Sequence, residues 1–157
     1  KLSSMAFMLL FGASVFILVF RGLGGDVFVE GMLRSLPGGL HAALAVVMAV
    51  VFVLGFFLDP FEILFIIVPI ACPVLITMGA DPLWLGVLIA LNLQTSFLTP
   101  PFGFSLFYLR SVAPPEVTTG HIYRGIVPFV VIQLLAIAAV WTMPTLATGL
   151  PRRFLGY

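Results

Sequence analysis

Long apolar stretches, separated by short polar segments, make up most of the chain. Residues 2–20 carry no charge. At 1.5 Å per residue, a helix of this length covers about 28 Å, which is close to the thickness of the hydrocarbon core of a bilayer. Charged side chains are costly in hydrocarbon and mark the ends of membrane spans. The pattern therefore predicts a transmembrane helix at 2–20 and, between Arg124 and Arg152, another at 126–150.

A polar connector follows the first span, at residues 21–39. It contains four charged residues and two glycine-rich turn signals, the Gly24-Gly25 pair and the Pro37-Gly38-Gly39 triplet. Such dipeptides and triplets interrupt regular structure.

Residues 41–78 contain two apolar runs separated by an acidic break with Asp59 and Glu62. Two full transmembrane helices joined by a short loop would produce this pattern. A re-entrant helical hairpin, whose tip ends inside the protein, would produce it equally. The second run has only sixteen residues, 63–78, and prolines interrupt it, which makes it slightly short for a full span. The residues alone leave both arrangements open.

Residues 83–109 carry no charge, but the middle of this stretch is polar and rich in proline. Pro100 and Pro101 remove two backbone donors and clash with the preceding turn, so a helix is expected to break between 92 and 103. Broken backbone survives at membrane depth only where protein or a water-filled cavity surrounds it. The pattern predicts a proline-broken transmembrane helix.

The predicted break is a candidate cation site. Unwound backbone exposes carbonyl oxygens and half-helix ends, which can coordinate Na⁺ and attract an anion. Thr95, Ser96 and Thr99 add hydroxyl oxygens, which are hard ligands.

The same segment offers candidate solute-binding groups. The amides of Asn92 and Gln94 suit a carboxylate or a hydroxyl-bearing solute, and Pro100 and Gly103 lie at the opened backbone. In the alternative interpretation, the segment is a proline-kinked helix whose polar groups bond to neighbouring helices.

Asp59 is the second candidate, because an ionisable residue inside the membrane marks a functional site by default. In a hairpin tip it would ligate a cation beside backbone carbonyls from Gly55 onward. In an ordinary surface loop, Asp59 and Glu62 would have no such role, and for Glu62 this interpretation is favoured.

Composition places the whole chain in the membrane. Of 157 residues, 62% are hydrophobic and 8% are charged, whereas soluble domains carry about 25% charged residues. We therefore predict an all-α polytopic membrane protein, with one transmembrane domain over residues 1–157 and the lipid bilayer as its partner. The net charge of +1 provides no basic field, so no nucleic-acid partner is expected.

The chemistry of enzymes and metal proteins is not indicated. Cys72 is the only cysteine, so disulfide frameworks and multi-cysteine metal sites are excluded. His41 and His121 have no ligand at metal-binding spacing, and a structural or solvated role is expected for each. No catalytic pairing inside the spans and no phosphate-binding glycine loop occur, so we expect neither an enzyme nor a cofactor.

Several motifs together carry a resemblance to a known family. They are, in chain order, 36–40 (LPGGL), 55–59 (GFFLD), 69–73 (PIACP), the Asp81-Pro82 pair and 92–103 (NLQTSFLTPPFG). In this order they resemble the C-terminal part of the large permease subunit (DctM-like) of tripartite ATP-independent periplasmic (TRAP) transporters. The resemblance covers essentially the whole chain.

The resemblance implies an elevator-type secondary transporter built from two inverted repeats. This chain would supply the second repeat, with 41–78 as the re-entrant hairpin. Na⁺ would act as the coupling ion, and Gly55 and Asp59 would join Thr95, Ser96 and Thr99 as sodium-site candidates.

The resemblance also implies partners and a location. The permease would take up an organic acid delivered by a periplasmic solute-binding protein. A small DctQ-like membrane subunit would support it in the bacterial inner membrane, which it would cross several times. The alternatives are another elevator-type anion or carboxylate carrier that works without a binding protein, or a non-transporting membrane assembly subunit.

Overall fold

The computed structural model describes residues 2–99, 104–114 and 116–155, and all regular elements in these ranges are helical. Their bounds are α1 (Leu2–Gly22), α2 (Gly25–Arg34), α3 (Gly39–Leu54), α4 (Pro60–Glu62), a π-helical turn (Ile63–Ile67), α5 (Val68–Thr77), α6 (Pro82–Leu98), α7 (Phe104–Val112), α8 (Thr119–Thr142) and α9 (Thr145–Leu155). The all-α prediction is confirmed for this part of the chain. By internal contacts, the predicted single domain divides into two compact units, residues 1–51 with 58–82 and residues 52–57 with 83–157.

The first unit packs α1, α2 and most of α3 with the continuous helix that runs from α4 through α5. Its core consists of small and branched apolar side chains, and Leu33, Leu44, Ile63 and Leu75 are fully buried. Burial of a side chain of this size contributes roughly 1.5–3 kcal/mol.

Pro69 accounts for the π-helical turn that precedes it. A proline ring clashes with the carbonyl four residues earlier and offers that carbonyl no donor. Here the helix widens at Ile63–Ile67, and the amide of Val68 donates to the carbonyl of Ile63, five residues back. A π-bulge is one of the few ways in which a helix absorbs such a disturbance.

The polar connector contains a helix that the sequence analysis missed. α2 occupies ten residues between the two predicted turns, where Gly24, Gly38 and Gly39 adopt positive φ angles of 77°, 112° and 61°. The turn signals at both ends are therefore confirmed. The charges of the segment between them are spaced four residues apart, which suits a helix, and Leu33 is its buried apolar residue.

The second unit contains α6 to α9 together with residues 52–57. Trp84, Leu85, Leu88 and Ile89 are buried along α6. Leu106 of α7 packs with Ile122 and Ile126 of α8 in a separate apolar cluster.

The predicted final span, 126–150, was wrong in its bounds. α8 begins earlier, at a capping box in which Thr118 Oγ1 accepts from the amide of His121 and His121 Nδ1 accepts from the amide of Thr118. It ends at Thr142, because Pro144 lacks an amide hydrogen and restricts the residue before it. α9 follows as a separate helix. The structural role expected for His121 is confirmed.

Three helical stretches in the described ranges are long and apolar enough to cross a membrane, Ser3–Gly22, Pro60–Thr77 and Thr119–Thr142. The apolar helices Gly39–Leu54 and Pro82–Leu98 are shorter. These helices support a multi-pass α-helical membrane protein, whereas the re-entrant path predicted for 41–78 stays a prediction.

Candidate functional site

The turn of the predicted hairpin is formed by residues 55–59. The amides of Phe56 and Phe57 donate to the carbonyls of Val53 and Leu54, at 3.2 and 2.9 Å, and close the end of α3. Gly55 is buried in this turn. Because glycine has no Cβ, a ligand can approach the carbonyl of Gly55 closely.

Asp59 is half-buried and caps the helix that follows it. Its Oδ1 accepts a 2.9 Å hydrogen bond from the amide of Phe61. Glu62 completes a capping box, because its Oε2 accepts from the amide of Asp59 at 3.3 Å. Both acidic residues therefore have a structural function. A carboxylate offers about four lone-pair sites, so this capping bond leaves acceptor capacity on Asp59, and its predicted role as a cation ligand stays a prediction.

Four polar side chains share one face at the C-terminal end of α6, and we call them the polar stripe. Three are buried in the helix, Asn92, Thr95 and Ser96, and the fourth, Thr99, is half-buried and follows its last residue. These positions are spaced i, i+3, i+4 and i+7 and therefore share one face of the helix. Thr95 and Ser96 are completely buried, and Asn92 is 4% exposed.

The break in the helix is narrower than the sequence predicted. α6 ends at Leu98, inside the predicted segment 92–103, while Asn92, Thr95 and Ser96 are still helical. Thr95 Oγ1 donates to the carbonyl of Leu91 at 2.7 Å, and Ser96 Oγ donates to that of Leu93 at 2.9 Å. Hydroxyls that bond back to their own helix are compatible with helical structure.

Thr99 closes the last turn of α6. Its amide donates to the carbonyl of Ser96 at 3.1 Å, and its Oγ1 donates to the carbonyl of Thr95 at 2.7 Å. The Ser96 carbonyl would otherwise have no helical donor, because residue 100 is a proline. Each hydroxyl in the polar stripe uses its hydrogen to donate to a carbonyl. The lone pairs of the hydroxyl oxygen remain available to accept a donor or to coordinate a cation.

The next part of the break lies outside the described residues. Pro100 and Gly103, the two backbone positions predicted to bind solute, are in this segment together with Pro101 and Phe102. The next helix, α7, begins at Phe104.

Gln94 lies on a different face of α6 from Asn92. Gln94 is exposed and lines an open groove of about 450 Å³ between α6, α7 and α8. Gln133 of α8 lines the same groove. The structure therefore separates the two predicted solute-binding amides.

A second group of polar residues lies in the first unit. Arg21 Nη2 donates to the carbonyl of Pro69 at 3.2 Å. Arg34 pairs with Glu30 at 2.8 Å and donates to Thr77 Oγ1 at 3.1 Å. These contacts attach α1 and α2 to α5.

Whether the hairpin turn and the break contribute to one common site stays a prediction.

Comparisons with known proteins point to one family. Residues 1–146 match the family described as "Tripartite ATP-independent periplasmic transporter, DctM component". The C4-dicarboxylate TRAP transporter large permease protein DctM of Vibrio cholerae is 31% identical over 131 residues, which are 83% of this chain and 28% of that protein. The sialic acid TRAP transporter large permease protein SiaM of the same organism is 35% identical over 104 residues, 66% of this chain and 24% of that protein.

A further relative carries a different substrate in its name. The ectoine/5-hydroxyectoine TRAP transporter large permease protein UehC of Ruegeria pomeroyi is 30% identical over 102 residues, 64% of this chain and 23% of that protein. The chain thus spans about a quarter of the length of these relatives. No solved structure matches it significantly.

Proposed function

Because the chain belongs to the DctM family of TRAP transporter large permeases, we propose that it forms part of a Na⁺-coupled permease for an organic acid. The observation that carries this proposal is the polar stripe, in which Asn92, Thr95 and Ser96 are buried and Thr99 is half-buried at the end of a proline-terminated helix.

The C-terminal end of α6 has the chemistry that a cation requires. The helix dipole places partial negative charge at this end. The last turn presents backbone carbonyls, and the oxygens of Thr95, Ser96 and Thr99 are close to them in the helix. Oxygen ligands of this kind suit a hard ion such as Na⁺, and discontinuous helices in secondary transporters use such ends to coordinate it.

The hairpin turn would supply further ligands. We assign a backbone carbonyl at Gly55 and the carboxylate of Asp59 to Na⁺, because the carboxylate keeps acceptor capacity after capping α4. A carboxylate also supplies the negative charge that neutral oxygens lack.

The solute would bind at the break. The N-terminal end of α7 carries partial positive charge, which favours a carboxylate. Asn92, Gln94, Pro100 and Gly103 are the groups that we assign to the solute. C4-dicarboxylates, sialic acid and ectoine, which the relatives' names contain, share a carboxylate, and this is the substrate class we propose.

Helix lengths support the re-entrant path. α3 has 16 residues and is about 24 Å long, less than the roughly 30 Å of hydrocarbon, whereas the arm from Pro60 to Thr77 has 18 and is long enough to cross. A first arm of this length suits a hairpin that enters and leaves by one face. The permease would then be of the elevator type, with this chain in its second inverted repeat.

Coupling would follow from differential affinity. Na⁺ binding would order the end of α6 and the hairpin turn, and the solute would bind better to this ordered state. A periplasmic solute-binding protein would deliver the solute, and a small DctQ-like subunit would hold the permease in the inner membrane.

The test is uptake by the complete permease, reconstituted with its small subunit in proteoliposomes. We expect an inward Na⁺ gradient to drive accumulation of a carboxylate solute only when the matching binding protein is present. Uptake without the binding protein would favour a carrier of another elevator class. Absence of uptake of malate, succinate, N-acetylneuraminate and ectoine under all conditions would favour an assembly subunit.

A further inference from the structure

The helix α9 begins where a membrane span ends. α8 has 24 residues and is one of the helices that are apolar enough to cross a membrane. Its length of about 36 Å exceeds the roughly 30 Å of hydrocarbon, so both of its ends reach the boundary with water. Trp141 in its last turn suits this depth, because indoles are enriched at membrane interfaces. α9 follows after Pro144 and therefore starts at the membrane surface.

α9 is too short to cross the membrane, and one of its faces is held by the protein. Its 11 residues cover about 17 Å, roughly half of the hydrocarbon thickness. Thr148 is 3% exposed, and its Oγ1 donates to the carbonyl of Pro144 at 3.1 Å. The face that contains Thr148 therefore packs against the rest of the second unit, where α9 contacts α8. The other faces determine what surrounds the helix.

The exposed surface of α9 has an apolar side and a basic edge. Leu146, Leu150 and Phe154 are each more than half exposed, and their four-residue spacing places them along one side of the helix. Arg152 and Arg153 are exposed as well. At about 100° per residue, Arg153 lies roughly 60° from Leu150, at the edge of the apolar side. An apolar strip with basic residues beside it is typical of helices that lie in a membrane interface.

The charge at this end of α9 is positive. Glu116 is the last acidic residue in the sequence, and residues 117–157 contain three arginines. Two of these arginines, Arg152 and Arg153, are adjacent in the last turns of α9. A guanidinium group binds phosphate with two parallel hydrogen bonds, and basic residues at a membrane surface attract anionic lipids.

Other surroundings fit this surface less well than lipid. The match to the DctM family covers residues 1–146, so nearly all of α9 lies outside the part of the chain that the family shares. A docking surface common to these permeases would be expected inside the matched range. Water fits least, because three large apolar side chains would remain exposed to it.

We infer that α9 is an interfacial helix that binds anionic phospholipids. Its apolar side enters the boundary between headgroups and acyl chains, while Arg152 and Arg153 contact lipid phosphates. A lipid with net negative charge binds better than a zwitterionic one, whose own cation offsets the attraction of the arginines. The inference concerns the lipid around the second unit and depends neither on Na⁺ coupling nor on the solute.

The experiment measures which lipid lies beside α9, with a bimane fluorophore attached at Leu150→Cys. The complete permease, with its other cysteines replaced, is reconstituted in nanodiscs. Phosphatidylglycerol or phosphatidylcholine with brominated acyl chains serves as the lipid quencher, and iodide serves as the quencher in water. The matched control carries bimane at Gly149→Cys, about 100° around the helix, where an added Cβ meets no neighbouring side chain within 4 Å.

We expect brominated lipid to quench bimane at position 150 and iodide to quench it at position 149. At equal mole fractions, brominated phosphatidylglycerol should quench position 150 more strongly than brominated phosphatidylcholine. Arg153→Gln should reduce this preference about fivefold, the effect of one arginine at a membrane surface. Arg153→Lys keeps the charge and should retain most of the preference.

The charge control is Arg124→Gln, which removes an exposed arginine near the other end of α8 and should leave the preference unchanged. All of the substituted positions are exposed, so the variants should fold as wild type does.

Four results would overturn the inference. Equal quenching by the two lipids in wild type would mean that α9 does not select lipid charge. An unchanged preference in Arg153→Gln would remove the role of this arginine. Quenching of position 150 by iodide alone would place the apolar side in water, and protection from both quenchers would mean that a protein surface covers it.

Discussion

Arg21 and Pro69 are joined by a hydrogen bond of 3.2 Å from the guanidinium Nη2 to the carbonyl oxygen. This carbonyl has no donor in its own helix, because the residue four positions later, Pro73, lacks an amide hydrogen. A side chain from α1 thus replaces the bond that the proline removes from α5. In the same way, the indole Nε1 of Trp84 donates to the carbonyl of Val140 at 2.7 Å. This carbonyl lies four residues before Pro144, which also lacks an amide hydrogen.

Arg21→Met should therefore destabilise the permease by about 0.5–1.5 kcal/mol, because it removes the side-chain donor of the Pro69 carbonyl. The measurement is the Tm of the complete permease in detergent. The control is the same change in a Pro73→Ala background, where an alanine amide can donate to that carbonyl. There the effect of Arg21→Met should nearly vanish, and equal effects in both backgrounds would contradict the assignment.

Trp84→Phe should cost about 1 kcal/mol or more, since it removes the indole donor of a residue that is 4% exposed. The rings of Trp84 and Trp141 pack edge to face with their centroids 6.4 Å apart, and a phenylalanine at position 84 keeps most of this packing. Thermal unfolding of the variant, compared with Leu83→Phe at an exposed position of the same helix, checks this. Equal Tm values for the two variants would show that the bond to Val140 does not stabilise the fold.

The N-cap of α8 can be tested with one disruptive and one conservative substitution of Thr118. Thr118→Ala should lower stability by about 1 kcal/mol, because it removes the Oγ1 acceptor for the amide of His121. Thr118→Ser keeps this acceptor and should preserve the Tm. Solute uptake per folded protein should be the same in both variants. A Thr118→Ala variant as stable as wild type would mean that the end of α8 needs no cap.

Asp59 combines a structural and a proposed functional role, and two substitutions separate them. Asparagine is as good a helix N-cap as aspartate, so Asp59→Asn should keep the Tm. It removes the charge, and we expect it to weaken Na⁺ binding at least about tenfold, since charged ligands contribute more than neutral ones. Asp59→Ala should lose both properties.

Na⁺-dependent thermal stabilisation measures both quantities in one titration. If Asp59→Asn binds Na⁺ as well as wild type, the carboxylate is only the cap of α4.

The sequence predicted those features that single residues determine locally. The turns at Gly24 and Gly38 need positive φ angles, which glycine adopts without strain. The end of α6 before Pro100 follows from the geometry of proline. Hydropathy placed α1 correctly.

Other features depended on contacts between residues that the pattern of apolar and polar positions does not reveal. The charges of α2 made its segment resemble a loop, although their four-residue spacing is helical. Thr95 and Ser96 suggested an unwound segment, but their hydroxyls bond to carbonyls of the same helix. The apolar cluster of Leu106, Ile122 and Ile126 forms between α7 and α8, and this packing cannot be read from one chain segment.

The most direct test of the account is the Na⁺ dependence of uptake in Thr99→Val proteoliposomes, with Thr99→Ser as control. Valine matches threonine in shape but lacks the oxygen that lies at the last turn of α6. We predict that the Na⁺ concentration for half-maximal uptake rises at least about tenfold in Thr99→Val and stays near wild type in Thr99→Ser. Uptake that does not depend on Na⁺, or the same Na⁺ dependence in all three proteins, would contradict a sodium site at the helix break.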